Sequence, residues 1–197
     1  MTLTQEALNS PDRNIRKDFL LQTFQSNETY VDDKLDIFKK GLLDKHDSIR
    51  NLSIEYLSSL YEKSQTFDFL EIIMPILEKE TVWSVKYLIL RKISKFNLKM
   101  TAYKDFILKL SFDLKPQVRI ATAEILVSFS VDQQDDSVIN RLLDLWKDKD
   151  ESVRKQLEIY LAESKNPKIK QFMAEYEKKL AEKEKRKKDI AGMFEGI

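Results

Sequence analysis

Five basic residues that could form ion pairs recur along the chain, each directly after a β-branched residue. They lie in Ile15-Arg16, Ile49-Arg50, Val85-Lys86, Val118-Arg119 and Val153-Arg154. An acid precedes each of the last four basic residues by six positions, and the first copy has a serine there. These residues are Ser10, Asp44, Glu80, Asp113 and Asp148. The chemistry of the pattern is charge-assisted hydrogen bonding between a cation and a carboxylate. A repeat of about 35 residues is typical of repeat proteins.

The elements that position these residues are predicted to be helices. Apolar residues follow each pair at helical spacing, as Ile54, Leu57 and Leu60 do after Arg50. The predicted helices are 11–26, 47–63, 82–97, 116–130 and 150–164. A shorter apolar-periodic segment precedes the last four of these, at 35–43, 67–77, 103–112 and 138–146. The repeating unit is therefore a helix, a tight turn and a second helix. The first copy is truncated, because only Thr4 to Leu8 are available for its leading helix.

Composition supports an all-helical protein. Only 3 Gly and 4 Pro occur in 197 residues, which argues against a β-rich fold. There is no Cys, so disulfides and thiolate metal sites are excluded. The sequence shows neither a secretory signal nor an apolar run long enough to cross a membrane, and the net charge is only +1. We therefore expect a cytoplasmic protein.

The paired acid and Val-Arg signature resembles that of HEAT repeats. Four copies carry the resemblance, namely Asp44/Arg50, Glu80/Lys86, Asp113/Arg119 and Asp148/Arg154. The resemblance covers roughly residues 5–165, and it departs from the family at Lys86 and in the missing acid of the first copy. It implies an all-α, HEAT-like right-handed α-solenoid of about five helix pairs. Tetratricopeptide repeats share the period, but their small-residue and glycine positions have no counterpart here.

We interpret these paired residues as structural. The acid lies in the turn, where it can accept hydrogen bonds from the amides that begin the next helix. The basic residue can pair with an acid of its own or of a neighbouring repeat. Stacked repeats would then carry a ladder of ion pairs, and a direct role in binding is the alternative.

No arrangement of residues predicts catalysis. His46 is the only histidine, and a single His without Cys cannot form a histidine-based metal site. A phosphate-binding glycine loop is also missing. We expect no enzyme activity, metal, cofactor or small-molecule substrate. A HEAT-like DNA glycosylase is a distant alternative. Such an enzyme needs a pocket that combines aromatic residues with an acid, and Trp83 has no acid at helical spacing after it.

A basic stretch from Thr81 to Lys104 contains no acid and is the first candidate binding surface. Its candidate contact residues are Arg91, Lys92, Lys95 and Lys99. They could bind an acidic peptide or phosphates, or they could form an ordinary solvated helix face. Trp83, which precedes them in a turn, is either an exposed anchor or a cap on the repeat interface.

The C-terminal region is the second candidate surface. We divide the chain into repeats at 1–165, a capping and projecting charged helix at 166–188, and a short apolar tail at 189–197. The tail places four apolar residues at helical spacing, which are Ile190, Met193, Phe194 and Ile197. Such a tail suits a groove on a partner. A frayed or folded-back tail and a membrane tether are the alternatives.

These features predict a non-enzymatic scaffold or adaptor subunit that binds protein partners through its curved repeat surface and its tail. The alternative is a nucleic-acid-associated protein that binds phosphates through the basic helix at 86–99. Contact with a membrane is the least expected of the three.

Overall fold

The structure is a computed structural model that describes residues 5–27, 30–98, 100–133, 135–164, 166–175, 178 and 181–182. All regular secondary structure within these ranges is helical. The all-α prediction is therefore confirmed for the described residues. The tail residues Ile190, Met193, Phe194 and Ile197 lie outside them, as does Lys99.

The order of the α-helices follows the predicted alternation of short and long helices. They are α1 (Arg13–Gln25), α2 (Val31–Gly41), α3 (Asp47–Ser64), α4 (Phe69–Lys79), α5 (Trp83–Lys95), α6 (Lys104–Leu110), α7 (Pro116–Gln133), α8 (Asp136–Leu145) and α9 (Glu151–Ala162). Two 3₁₀ helices span Gln5–Asn9 and Thr101–Tyr103, and residues 167–175 are helical as well. The five helices predicted to carry the basic residues correspond to α1, α3, α5, α7 and α9.

Side-chain caps explain where several helices begin. Asp12, Asp68, Asp135 and Asp150 each accept a hydrogen bond from a backbone N–H in the first turn of the following helix, at 2.8–2.9 Å. Such caps satisfy amides that have no partner within the helix. Pro75 lies inside α4.

The chain divides into two compact units, residues 1–99 and 100–197. In the first unit, α3 packs between α1 and α5, while α2 packs on α1 and α3, and α4 packs on α5. In the second unit, α7 packs against α6, α8 and α9. The boundaries predicted at residues 165 and 188 stay predictions.

Each unit has its own apolar core. Fully buried side chains in the first unit include Leu20, Phe38, Ile54, Ile73 and Ile89. Those in the second include Ile107, Val118, Leu126, Leu142 and Leu157. They lie on the faces where the apolar residues of each helix repeat, so burial of these faces is the main stabilising contribution to the helix packing.

Gly41 marks a close approach between α2 and α3. A Cβ atom at this position would lie 2.1 Å from Ser53 Oγ and 3.2 Å from Ser53 Cβ. Ser53 is itself buried, and its hydroxyl donates to the Ile49 carbonyl oxygen at 2.9 Å. A side chain at position 41 would therefore displace the Ser53 hydroxyl and overpack the contact between these two helices.

Candidate functional site

The first recurring arginine, Arg16 on α1, forms a buried ion pair. Its Nε donates to Asp44 Oδ2 at 2.6 Å and its Nη2 to Asp44 Oδ1 at 3.2 Å. Its Nη1 donates to the Ser10 carbonyl oxygen at 2.5 Å. One guanidinium thus connects the turn before its own helix with the acid 28 residues further along. Such a two-pronged contact is what the planar arginine head group favours.

The same geometry recurs at Arg50 on α3. Its Nε and Nη2 donate to the two carboxylate oxygens of Glu80 at 2.8 and 2.9 Å. Its Nη1 donates to the Asp44 carbonyl oxygen at 2.9 Å. Asp44 therefore receives the arginine of the preceding repeat on its carboxylate and the arginine of its own repeat on its backbone carbonyl.

The second unit carries a further copy. Arg119 on α7 donates to both carboxylate oxygens of Asp148, at 2.8 and 2.7 Å, and to the Asp113 carbonyl oxygen at 2.8 Å. Arg154 on α9 donates to the Asp148 carbonyl oxygen at 2.5 Å. Lys86 holds the corresponding position on α5. We call Arg16, Arg50, Arg119 and Arg154 with their acceptors the arginine ladder.

The ladder acids also order the turns in which they lie. Asp44 accepts from the His46 N–H, Glu80 from the Thr81 and Val82 N–H groups, Asp113 from the Lys115 N–H, and Asp148 from the Asp150 N–H. Burial raises the pKa of the Asp148 carboxyl, but the hydrogen bonds from Arg119 and the Asp150 N–H outweigh this effect and hold that pKa below its ordinary value. Asp44 and Glu80 show the same balance and a lowered pKa. Their hydrogen-bonding capacity is directed inward, to turns and neighbouring repeats.

Sequence reasoning missed Arg141 on α8. Its Nε donates to Ser111 Oγ at 2.7 Å and its Nη2 to the Ser111 carbonyl oxygen at 2.6 Å. The guanidinium carbon lies 3.5 Å from the centre of the Phe112 ring. This arginine fixes the turn after α6 and lies outside the recurring pattern, so its role had no sequence signal.

The predicted basic surface of α5 is partly neutralised. Lys92 Nζ lies 2.5 Å from Glu55 Oε2, and Lys95 Nζ lies 3.0 Å from Glu62. Both acids belong to α3. Arg91 is exposed on the same helix. Alternating charges on adjacent helices give this face much less positive potential than the α5 sequence indicates by itself.

The two tryptophans have different surroundings. Trp83 is the first residue of α5 and is 39% exposed. Trp146 is half-buried and packs edge-on against Phe172, with ring centroids 5.4 Å apart. This ring contact joins the helical segment 167–175 to the end of α8, and the capping role of residues 166–188 stays a prediction.

An open groove of about 600 Å³ crosses the first two turns of α1, α3 and α5, all in the first unit. Its lining residues are Arg13, Asn14, Lys17, Ser48, Asn51, Leu52, Glu55, Ser84, Tyr87 and Leu88. The lining combines cations, amides, a phenol and apolar side chains, which suits a polypeptide better than a uniformly charged ligand. Sequence reasoning missed the groove because its residues are unremarkable on each helix and meet only when three helices pack.

One lining residue has an unsatisfied polar atom. Asn51 Oδ1 is buried and has no hydrogen-bond partner among the described residues. A buried acceptor without a partner is costly and uncommon in folded proteins. Asn51 therefore carries an unused acceptor that is enclosed beside the groove and becomes accessible to a ligand only when the side chain rotates.

No family model matches the chain, and no curated protein shows significant similarity to it. Within the described part of the chain, no helix has both the length and the apolarity to cross a bilayer. The same residues bring together no group of three His, Asp or Glu side chains that could hold a metal ion.

Proposed function

We propose that the protein is a non-enzymatic scaffold or adaptor subunit, built from HEAT-like helix pairs in a right-handed solenoid, that binds a partner polypeptide in the groove on α1, α3 and α5. The groove itself carries the proposal, because it offers a mixed polar and apolar surface over three helices. The C-terminal tail is a second proposed contact. The proposed location is the cytoplasm, since a chain without cysteine needs no oxidising compartment for folding.

The arginine ladder supports the scaffold proposal indirectly. It fixes α1 to the turn before α3, and α3 to the turn before α5, through buried two-pronged ion pairs. A groove assembled from three helices keeps its shape only if their spacing is fixed. Preformed surfaces bind with a smaller loss of conformational entropy. The ladder therefore serves the groove without touching a ligand.

The basic surface of α5 supports the nucleic-acid alternative less well. Glu55 and Glu62 lie beside Lys92 and Lys95 and would repel a phosphate backbone. Retention on DNA or RNA that weakens steeply with salt, and is lost in an Arg91→Glu variant, would instead favour the alternative.

Affinity purification of the full chain, followed by mass spectrometry, tests the proposal. Ser48→Trp places a bulky ring in the groove at an exposed position, and Ser128→Trp on α7 is the matched control. We expect a stoichiometric protein with the wild type and with the control, and its loss with Ser48→Trp at an unchanged melting temperature. Equal recovery with all three proteins would contradict binding in the groove.

Truncation after Lys188 tests the tail separately. We expect it to leave the melting temperature nearly unchanged and to remove one partner that Ser48→Trp retains. A drop of several degrees would indicate that the tail stabilises its own repeats, and loss of liposome binding would indicate a membrane contact instead.

A further inference from the structure

We propose that the groove binds a short acidic segment of the partner, with two carboxylates on Arg13 and Lys17 and a backbone group of the segment on Asn51. This inference rests on the proposed function and specifies the chemistry of the partner. Three independent features support it: the charge of the groove, the spacing of its cations, and its unsatisfied amide.

The groove has two uncompensated positive charges. Arg13 and Lys17 are both exposed on α1, and neither forms an ion pair with the part of the chain that the structure describes. Across the groove, the negative charge of Glu55 is balanced by Lys92, whose Nζ lies 2.5 Å away. The lining is therefore net positive on the α1 side and neutral on the α3 side. Charge complementarity favours an anionic ligand at one rim only.

The spacing of the two cations fits alternate residues of an extended peptide. Arg13 and Lys17 are four residues apart, which is about 6 Å along the helix axis. Alternate residues of an extended chain lie on one face about 6.6 Å apart. Two acids separated by one residue can thus reach both cations. Leu52 and Leu88, which are half-buried in the lining, then accept a neighbouring apolar side chain.

Asn51 supplies a contact for the peptide backbone. A carboxamide has the same donor and acceptor pair as a peptide group, so it can accept from an N–H and donate to a carbonyl. Its Oδ1 is unsatisfied within the described chain and is closed to solvent, so rotation of the side chain toward an incoming N–H would remove that cost. A polypeptide provides such a donor at nearly every residue.

A nucleic acid fits these features less well. It carries a charge at every nucleotide, whereas the groove has only two free cations, beside the carboxylate of Glu55 and the apolar Leu52. A peptide can place its charges opposite Arg13 and Lys17 and remain neutral further along.

A display library of random 12-residue peptides, selected on the full chain at low salt, tests the inference. We expect the enriched sequences to carry acids at alternate positions, and Arg13→Glu/Lys17→Glu to reduce their affinity at least about tenfold. Lys39→Glu/Lys79→Glu is the matched control, because it reverses two exposed lysines of the same unit away from the groove. A library without acidic enrichment, without any binder, or with binders equally sensitive to both variants would overturn the inference.

Asn51→Leu tests whether Asn51 contributes to peptide binding or only to the fold. Removing an unsatisfied acceptor should leave the melting temperature unchanged or raise it, while affinity for a selected peptide falls about tenfold. A lowered melting temperature with unchanged affinity would assign Asn51 to the fold alone. A 20-nucleotide single-stranded DNA that binds through Arg13 and Lys17 more tightly than any selected peptide would overturn the inference in favour of phosphates.

The inference and the proposed function fail in different ways. If Ser48→Trp abolishes capture of the natural partner, yet the segment cross-linked at the groove contains no acids, the function stands and the acidic segment is wrong. If Ser48→Trp captures the same partner as the wild type, the proposed use of the groove fails whatever the library selects.

Discussion

Replacing Arg119 by alanine tests the structural role of the ladder most directly. The side chain is 5% exposed and donates two hydrogen bonds to Asp148 and two to the backbone carbonyl oxygens of Asp113 and Leu114. The Asp148 side chain is 10% exposed beside Arg119, and removal of the arginine leaves its carboxylate with the Asp150 N–H as the remaining described donor. The variant therefore buries an unpaired charge between α7 and the turn before α9.

The expected loss of stability is about 3 kcal/mol. Breaking a buried ion pair from one side costs roughly 3–5 kcal/mol, and the partial exposure of Asp148 places this case at the lower end. This exceeds the ~1 kcal/mol that an exposed pair would contribute. Adding Asp148→Asn removes the stranded charge and keeps an acceptor for the turn, so the double variant should recover about 1 kcal/mol or more.

The assay is urea unfolding at pH 7, followed by circular dichroism. Lys155→Ala, which breaks an exposed pair with Glu151 on α9, is the control and should change stability by less than about 0.5 kcal/mol. Partner binding by Arg119→Ala should persist under conditions where the variant is folded.

Acid should narrow the difference between wild type and Arg119→Ala. The folded-state pKa of Asp148 lies below its ordinary value, so the ion pair stabilises the wild type above about pH 4 and loses this contribution as the pH falls through the folded-state pKa. The variant has no such pair to lose. An Arg119→Ala protein that melts like the wild type but no longer binds its partner would refute the structural reading.

Three further substitutions test the fold. Ile93→Asp should unfold the first unit, because Ile93 is 1% exposed, and a soluble, fully helical variant by circular dichroism would show that α5 is wrongly oriented. Gly41→Ala should cost about 1–3 kcal/mol in urea unfolding by overpacking, and Ser53→Ala in the same chain should restore part of it. Asp135→Ala should cost about 1–2 kcal/mol of stability, because it removes the cap of α8 and the ion pair with Lys104. Hydrogen bonds from Lys104 and Ser137 lower the pKa of Asp135 in the folded protein. The stability lost in the variant should therefore shrink as acid protonates Asp135 in the wild type. A loss that is unchanged by pH would argue against that pair.

The helices and their order were predictable from the sequence because both depend on local information. Apolar residues at helical spacing determine which face of a helix is buried, and capping residues such as Asp150 determine where a helix begins. The predicted and observed bounds of the long helices therefore differ by only a few residues. The spacing of Arg119 and Asp148 likewise indicated that a cation and an acid recur together.

The partner of each charge was decided by tertiary structure. The sequence allowed Arg50 to pair with an acid of its own repeat or of a neighbouring one, and packing brings it to Glu80, 30 residues away. The run of cations in α5 suggested a free basic surface, but α3 places Glu55 beside Lys92. Ion pairing depends on distances of a few ångströms between separate helices, which a single helical period does not encode.

The groove could not be predicted from the sequence, because it exists only where three helices pack together. Arg13, Asn51 and Tyr87 lie on three different helices, and each is an ordinary choice for its own position. Only the stacking of α1, α3 and α5 brings them to one surface and leaves Asn51 Oδ1 buried without a hydrogen-bond partner among the described residues. The sequence by itself determined that the chain forms amphipathic helices with recurring charges, because these properties follow from the period of each helix. The binding surface required the tertiary structure, because it is a property of the distances between helices.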